Sequence, residues 1–121
     1  MARNRMREQI LITIRKVPRG HVSSYGAIAR AAGYPGAARQ VAWTLHASSG
    51  LPWHRILGSG GEIKLRGEAA LEQRLRLESE GITFRGRRVN MPLHEFRFPA
   101  KAGSPSPKSK SGQSVRRRPR P

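Results

Sequence analysis

Residues 24–47 read Ser24-Tyr25-Gly26-Ala27-Ile28-Ala29-Arg30-Ala31-Ala32-Gly33-Tyr34-Pro35-Gly36-Ala37-Ala38-Arg39-Gln40-Val41-Ala42-Trp43-Thr44-Leu45-His46-Ala47. Ser24 has the side chain of an N-cap, and the alanine-rich run after it predicts a helix through Ala32. Gly33-Tyr34-Pro35-Gly36 is a compact turn, since glycine and proline both break a helix. A second helix from Ala37 to about Ala47 would bury Val41, Ala42 and Leu45 on one face. Two short helices joined by a glycine-containing turn form a candidate helix-turn-helix. Spacing alone does not make it a DNA reader, because many helical hairpins bind nothing.

On the N-terminal side, Met6, Ile10, Ile14 and Val17 recur at helical spacing. They predict an amphipathic helix over 3–16, stopped by Pro18 and Gly20 and followed by a short extended piece, His21-Val22-Ser23. On the other side, Ser48-Ser49-Gly50-Leu51-Pro52 is a loop. Ile56-Leu57 and Ile63-Lys64-Leu65 flank Gly58-Ser59-Gly60-Gly61, which reads as a β-hairpin, or wing. A helix over 68–80 carries Leu71, Leu75 and Glu78 and stops at Gly81, and 82–84 with 88–89 suggest a last strand pair. The fold class expected is mainly helical α+β, a winged helix-turn-helix over residues 1–100. Residues 101–121, rich in Ser, Pro, Lys and Arg, read as a separate, disordered basic tail.

The chain has 121 residues, room for one modest core. Its 24 Lys and Arg face only 7 acidic residues, all glutamate, for a formal charge of +17. Residues 1–100 hold 17 of the basic side chains and all 7 acidic ones, so the surplus is not confined to the tail. Such a surplus points to a polyanion, most simply nucleic acid. No apolar run is long enough to cross a bilayer, and no apolar h-region follows the charged N-terminus. The absence of cysteine removes disulfides and thiolate metal sites, and His21, His46, His54 and His94 are scattered without ligand spacing. No metal or cofactor is expected, and the expected location is cytoplasmic, on the bacterial nucleoid (the nucleus in a eukaryote).

One further tetrapeptide changes the reading: Pro52-Trp53-His54-Arg55. It resembles the Pro-Cys-His-Arg active-site motif of the O6-alkylguanine-DNA alkyltransferases, with tryptophan at the cysteine position. Other segments match in order: Val17 to Gly26, Ala37-Ala38-Arg39-Gln40-Val41, Gly58-Ser59-Gly60-Gly61 and Leu77-Glu78-Ser79-Glu80-Gly81. The resemblance covers roughly residues 5–90. Alkyl transfer needs a thiolate, and an indole has no lone pair available at neutral pH to replace it. The chain is therefore similar to the alkyltransferase-like proteins, which bind O6-alkylguanine in double-stranded DNA without removing the alkyl group and pass the lesion to nucleotide excision repair.

The resemblance implies roles for particular residues. Trp53, Arg66, Tyr25, Ser48, Pro52 and Ser59 would line the pocket for a flipped base. Arg39 would be an arginine finger that enters the duplex through the minor groove and fills the gap left by that base. Ser24, Tyr25, Ala37 and Gln40 would contact the DNA backbone, with Ala37 and Ala38 small enough for close approach. His54, Arg55 and Glu80, which in the enzymes serve the cysteine, would here be architectural. Arg66 stands where the enzymes usually have tyrosine, thirteen residues after the motif position, and a cation there would sense the electron distribution of the base. Ser48 stands where they commonly have asparagine, and the shorter loop to Pro52 would widen the pocket mouth for bulkier adducts. A monomer suffices for one lesion. The alternative reading is a winged-helix DNA-binding or regulatory protein with no lesion preference; surrogate enzymatic chemistry at His54 is disfavoured by the weak nucleophilicity of imidazole.

Overall fold

The computed structural model describes residues 2–99, with side chains from Arg5 onward; the basic stretch 101–121 and its expected disorder lie outside the described residues. Helix α1 (Ala2–Arg15) turns Ile10 and Ile14 onto one fully buried face, and Val17 continues that face past the helix end. The short strand β1 (Ser23–Ser24) leads into α2 (Tyr25–Ala31). Ser24 Oγ accepts the Ala27 N–H at 3.1 Å, satisfying one of the donors that a helix start leaves free. Helix α3 (Ala38–Ala47) follows the 33–36 turn and packs against α2 and α1. Ile28, Ala29, Ala37 and Val41 join Ile10 and Ile14 in the first apolar cluster.

The wing differs from the sequence expectation. Ile56 and Leu57 form strand β2, but it pairs in parallel with β1, Ser23 opposite Ile56 and Ser24 opposite Leu57. Residues 63–65 form no strand. The reason lies in burial. Ile56 belongs to the first cluster and Leu57 to a second one, built with Val22, Leu77, Ile82 and Val89, and both are fully buried. Successive strand residues point to opposite faces, so both can be covered only where the strand runs between two apolar clusters. An exposed hairpin would leave one of them in water. The glycine run instead makes a tight turn, closed by the Gly61 N–H donating to the Gly58 carbonyl at 3.1 Å and pressed against the next hairpin. Gly61 has φ +89, and a Cβ there would stand 2.6 Å from the Val89 carbonyl oxygen.

Helix α4 (Gly67–Ser79) buries Gln73 and Leu77, while Leu71 and Leu75 are more than half exposed. It ends in a Schellman motif: Ile82 N–H donates to Leu77 O and Gly81 N–H to Glu78 O, with Gly81 at φ +87. This ending fixes Glu80 at the turn. Strands β3 (Phe84–Arg85) and β4 (Arg88–Val89) form an antiparallel hairpin, followed by a one-turn helix α5 (Met91–His94) that the sequence reading does not contain. Among the described residues, no helix is long and apolar enough to cross a membrane.

Candidate nucleic-acid interface

A buried carboxylate organises the loop that follows α3. Glu80 Oε2 accepts from His54 Nε2 at 2.8 Å and from Arg55 Nη2 at 2.8 Å, and Oε1 accepts from Arg55 Nε at 3.0 Å and the Gly20 amide at 3.3 Å. Arg55 also donates through Nη1 to the Val17 carbonyl at 3.1 Å. The Glu80 and His54 side chains are only 5% and 10% exposed. Burial works to raise the Glu80 pKa. The hydrogen bonds from Arg55, His54 and Gly20, with the charge of the imidazolium form, outweigh it and hold the group at about 2. With Glu80 ionised, His54 Nε2 is the donor, and the buried Nδ1 is left without a protein partner. The network pins the 52–55 loop between the end of α1 and the end of α4.

Trp53 sits directly above it, in a 3₁₀ turn (Trp53–Arg55). Its ring meets the His54 imidazole edge-on, at 83° and 6.1 Å between centroids. The Arg76 guanidinium lies 5.5 Å from the indole centroid and is itself held by Glu72 at 2.6 and 2.9 Å. From below, the buried Gln73 amide donates to the His54 and Ile56 carbonyls, each at 3.1 Å. Gln73→Ala would take a donor from two backbone carbonyls and leave a cavity, so a loss of about 2–3 kcal/mol is expected, measured by urea unfolding.

Trp53 and Tyr25 face a shared hollow of about 740 Å³, walled by Ala42, Trp43, Leu45, His46, Ala47, Leu65, Ala69 and Gln73. A hollow of that size with mostly apolar walls suits a largely apolar guest. Burial raises the Tyr25 pKa, so the phenol stays a neutral hydrogen-bonding group at physiological pH. The Trp53 indole offers no nucleophile, the Tyr25 phenol is held neutral, and the Nε2 of His54 is committed to Glu80.

Of the pocket residues named from sequence, the hollow brings together Tyr25 and Trp53 and not the other four. Exposed Arg66 lines the neighbouring depression with Arg74, Arg87 and Arg88, which shares Leu65 with the hollow. Ser48 closes α3 and accepts a hydrogen bond from Arg7 at 3.2 Å; Pro52 precedes the Trp53 turn; Ser59 is exposed in the glycine turn. Arg39 and Gln40 are exposed on α3, along a groove shared with Met6, Ile10 and Trp43. Ser24 is occupied as the cap of α2, although its hydroxyl proton remains available. Ala37 does not face outward: it is 8% exposed, packs in the first cluster, and its amide donates to the Tyr34 carbonyl. Sequence reasoning missed every other wall of the hollow, among them Trp43, Leu65, Ala69 and Gln73. Only Trp43 carried a signal, as a large aromatic outside the buried stripe of its helix.

Comparison with known proteins comes to the same region of sequence. Residues 5–82 match the family described as 6-O-methylguanine DNA methyltransferase, DNA binding domain. A DNA base-flipping protein of Vibrio parahaemolyticus is 47% identical over 77 residues, covering 61% of this chain and 77% of that protein. Alkyltransferase-like protein 1 of Schizosaccharomyces pombe is 47% identical over 72 residues, 55% of this chain and 67% of that protein. The crystal structure of S. pombe Atl1 in complex with damaged DNA containing O6-carboxymethylguanine superposes with a TM-score of 0.66 at 31% identity, over 78% of this chain and 96% of that one.

Proposed function

Since the chain belongs to the family of the 6-O-methylguanine DNA methyltransferase DNA-binding domain and contains no cysteine, we propose that it is a non-enzymatic sensor of O6-alkylguanine in double-stranded DNA. It docks in the minor groove, flips the damaged nucleotide into the Trp53 hollow and leaves the alkyl group in place. One observation carries this reading. An aromatic-walled hollow stands over an intact His54–Arg55–Glu80 network, with an indole where a thiolate would act.

The physics favours the lesion at two points. O6-alkylation weakens pairing with cytosine and so lowers the cost of extrusion, which is a few kcal/mol for a normal base. Each methylene then buried in the hollow contributes about 0.8 kcal/mol. Arg39, exposed on α3, fills the vacated stack and bonds the orphan base, which a planar guanidinium does well. Tyr25 and Ser24 meet the phosphate of the flipped nucleotide, with Gln40 on the flanking backbone. Arg66 reaches from the adjoining depression to the face of the base. The seven basic side chains of residues 101–121 add sequence-independent affinity with a steeper salt dependence. The long-lived complex marks the site for nucleotide excision repair proteins.

The test uses two matched duplexes that differ only by O6-methylguanine for guanine, at fixed physiological salt. Binding at least about tenfold tighter to the lesion is expected. After incubation, mass spectrometry should find the protein mass unchanged and the methyl group still on the DNA. Equal affinity for both duplexes would leave a general DNA-binding domain; a protein adduct would make the chain an enzyme.

A further inference from the structure

Among the described residues, Trp43 belongs to neither apolar cluster. At 73% exposure it is the most exposed large apolar side chain among the described residues, on a helix whose core contacts are made by Val41 and Thr44. Water around an indole is unfavourable, and a partner that covers it is rewarded roughly in proportion to the area buried. Its position says what that partner is. Trp43 lines the hollow that contains Trp53 and also the groove that contains Arg39, so it stands on the ridge between them. Arg39 lies four residues earlier, one turn along the same face of α3. Any duplex entered by Arg39 therefore brings the mouth of the hollow, and the indole at it, against the extruded nucleotide. The hollow, at about 740 Å³, falls within the range that takes a drug-sized molecule, more than a purine with one methyl group needs. Exposed Leu65 borders the same hollow, so the spare volume is apolar on more than one side.

We propose that Trp43 is a specificity-determining residue: it forms the outer wall of the hollow and covers large, flat O6 substituents that project beyond Trp53. The inference rests on the sensor reading and deepens it, by assigning the discrimination between small and large O6 substituents to one residue outside the tetrapeptide motif. A methyl group is too short to reach the outer wall, whereas an aryl ring on a methylene can lie against the indole.

The experiment compares the full chain with Trp43→Ala and Trp43→Phe on three matched duplexes, carrying guanine, O6-methylguanine or O6-benzylguanine. Because Trp43 is so exposed, neither substitution threatens the fold, and unfolding midpoints confirm it. Wild type should bind the benzyl lesion most tightly. Trp43→Ala should weaken benzyl binding by about tenfold and methyl binding by no more than about threefold, with Trp43→Phe recovering most of the difference. A uniform loss on all three duplexes overturns the proposal and makes Trp43 a general duplex contact. No loss on any of them overturns it as well. In both cases a wild-type preference for the methyl lesion over guanine leaves the sensor reading standing; absence of that preference removes the sensor reading and this inference together.

Discussion

Arg39→Ala is expected to weaken binding to an O6-methylguanine duplex by about thirty- to a hundredfold, while binding to the undamaged duplex falls only a few-fold. The asymmetry follows from where the side chain would act. As a phosphate contact on bound but unflipped DNA, one arginine supplies a modest, salt-screened attraction that both duplexes share. As the group filling the gap behind an extruded base, it stacks on the neighbours and makes charge-assisted hydrogen bonds worth about 1.5–3 kcal/mol, and only the flipped complex gains them. Arg39 is exposed and projects from a helix that is anchored from behind by Val41, so its removal leaves the core intact. Fluorescence anisotropy at two salt concentrations checks this, with a fluorescent base analogue beside the lesion to report unstacking. Equal losses on both duplexes would reduce Arg39 to a backbone contact.

The second large effect concerns stability. Glu80→Ala removes the acceptor for His54, Arg55 and Gly20 at once, leaving a guanidinium that is 17% exposed without its counter-ion. Breaking such a pair from one side costs about 3–5 kcal/mol. For a domain of this size that is a large share of the total. The same group sets the acid limb of the stability curve. The folded-state pKa of Glu80 is depressed from the ordinary 4.5 to about 2, so the unfolded chain takes up the proton first. Its contribution is therefore complete above pH of about 4.5 and is lost as pH falls toward 2. The amount lost is on the order of 3 kcal/mol. Urea unfolding at intervals between pH 7 and pH 2.5 should show this loss in the wild type. Glu80→Gln, already destabilised at pH 7, should have a flatter profile over that window. A parallel profile in the variant would assign the acid sensitivity to other carboxylates.

The helices were legible because their signals are local. Ser24 caps the chain three residues before the amide it bonds, and Ile10 and Ile14 fall on one face by the geometry of a single helix. Gly81 ends α4 because a positive φ is needed at that residue whatever lies nearby. The wing failed as a reading for the opposite reason. Whether Ile56 and Leu57 pair with residues after the glycine turn or with Ser23 and Ser24 depends on which arrangement covers both faces. That depends on apolar clusters assembled from the whole chain. The same holds for Leu71 and Leu75, whose spacing marks a helix without saying which side of it meets the core.

What the sequence by itself determined is the chemistry that is available: no thiolate anywhere, an indole in the motif position, a large positive charge, and helices in a recognisable order. These follow from composition and short-range geometry, which no packing can alter. Tertiary structure alone decided which side chains meet. Glu80 reaches Gly20 across sixty residues of chain and His54 across twenty-six, and while burial works to raise its pKa, the donors met there hold it low. Ala37 turned into the core, while Trp43, Leu65 and Ala69 became walls of the hollow around Trp53. Burial is a property of neighbours in space, and those neighbours are settled only when the two apolar clusters close on either side of β2.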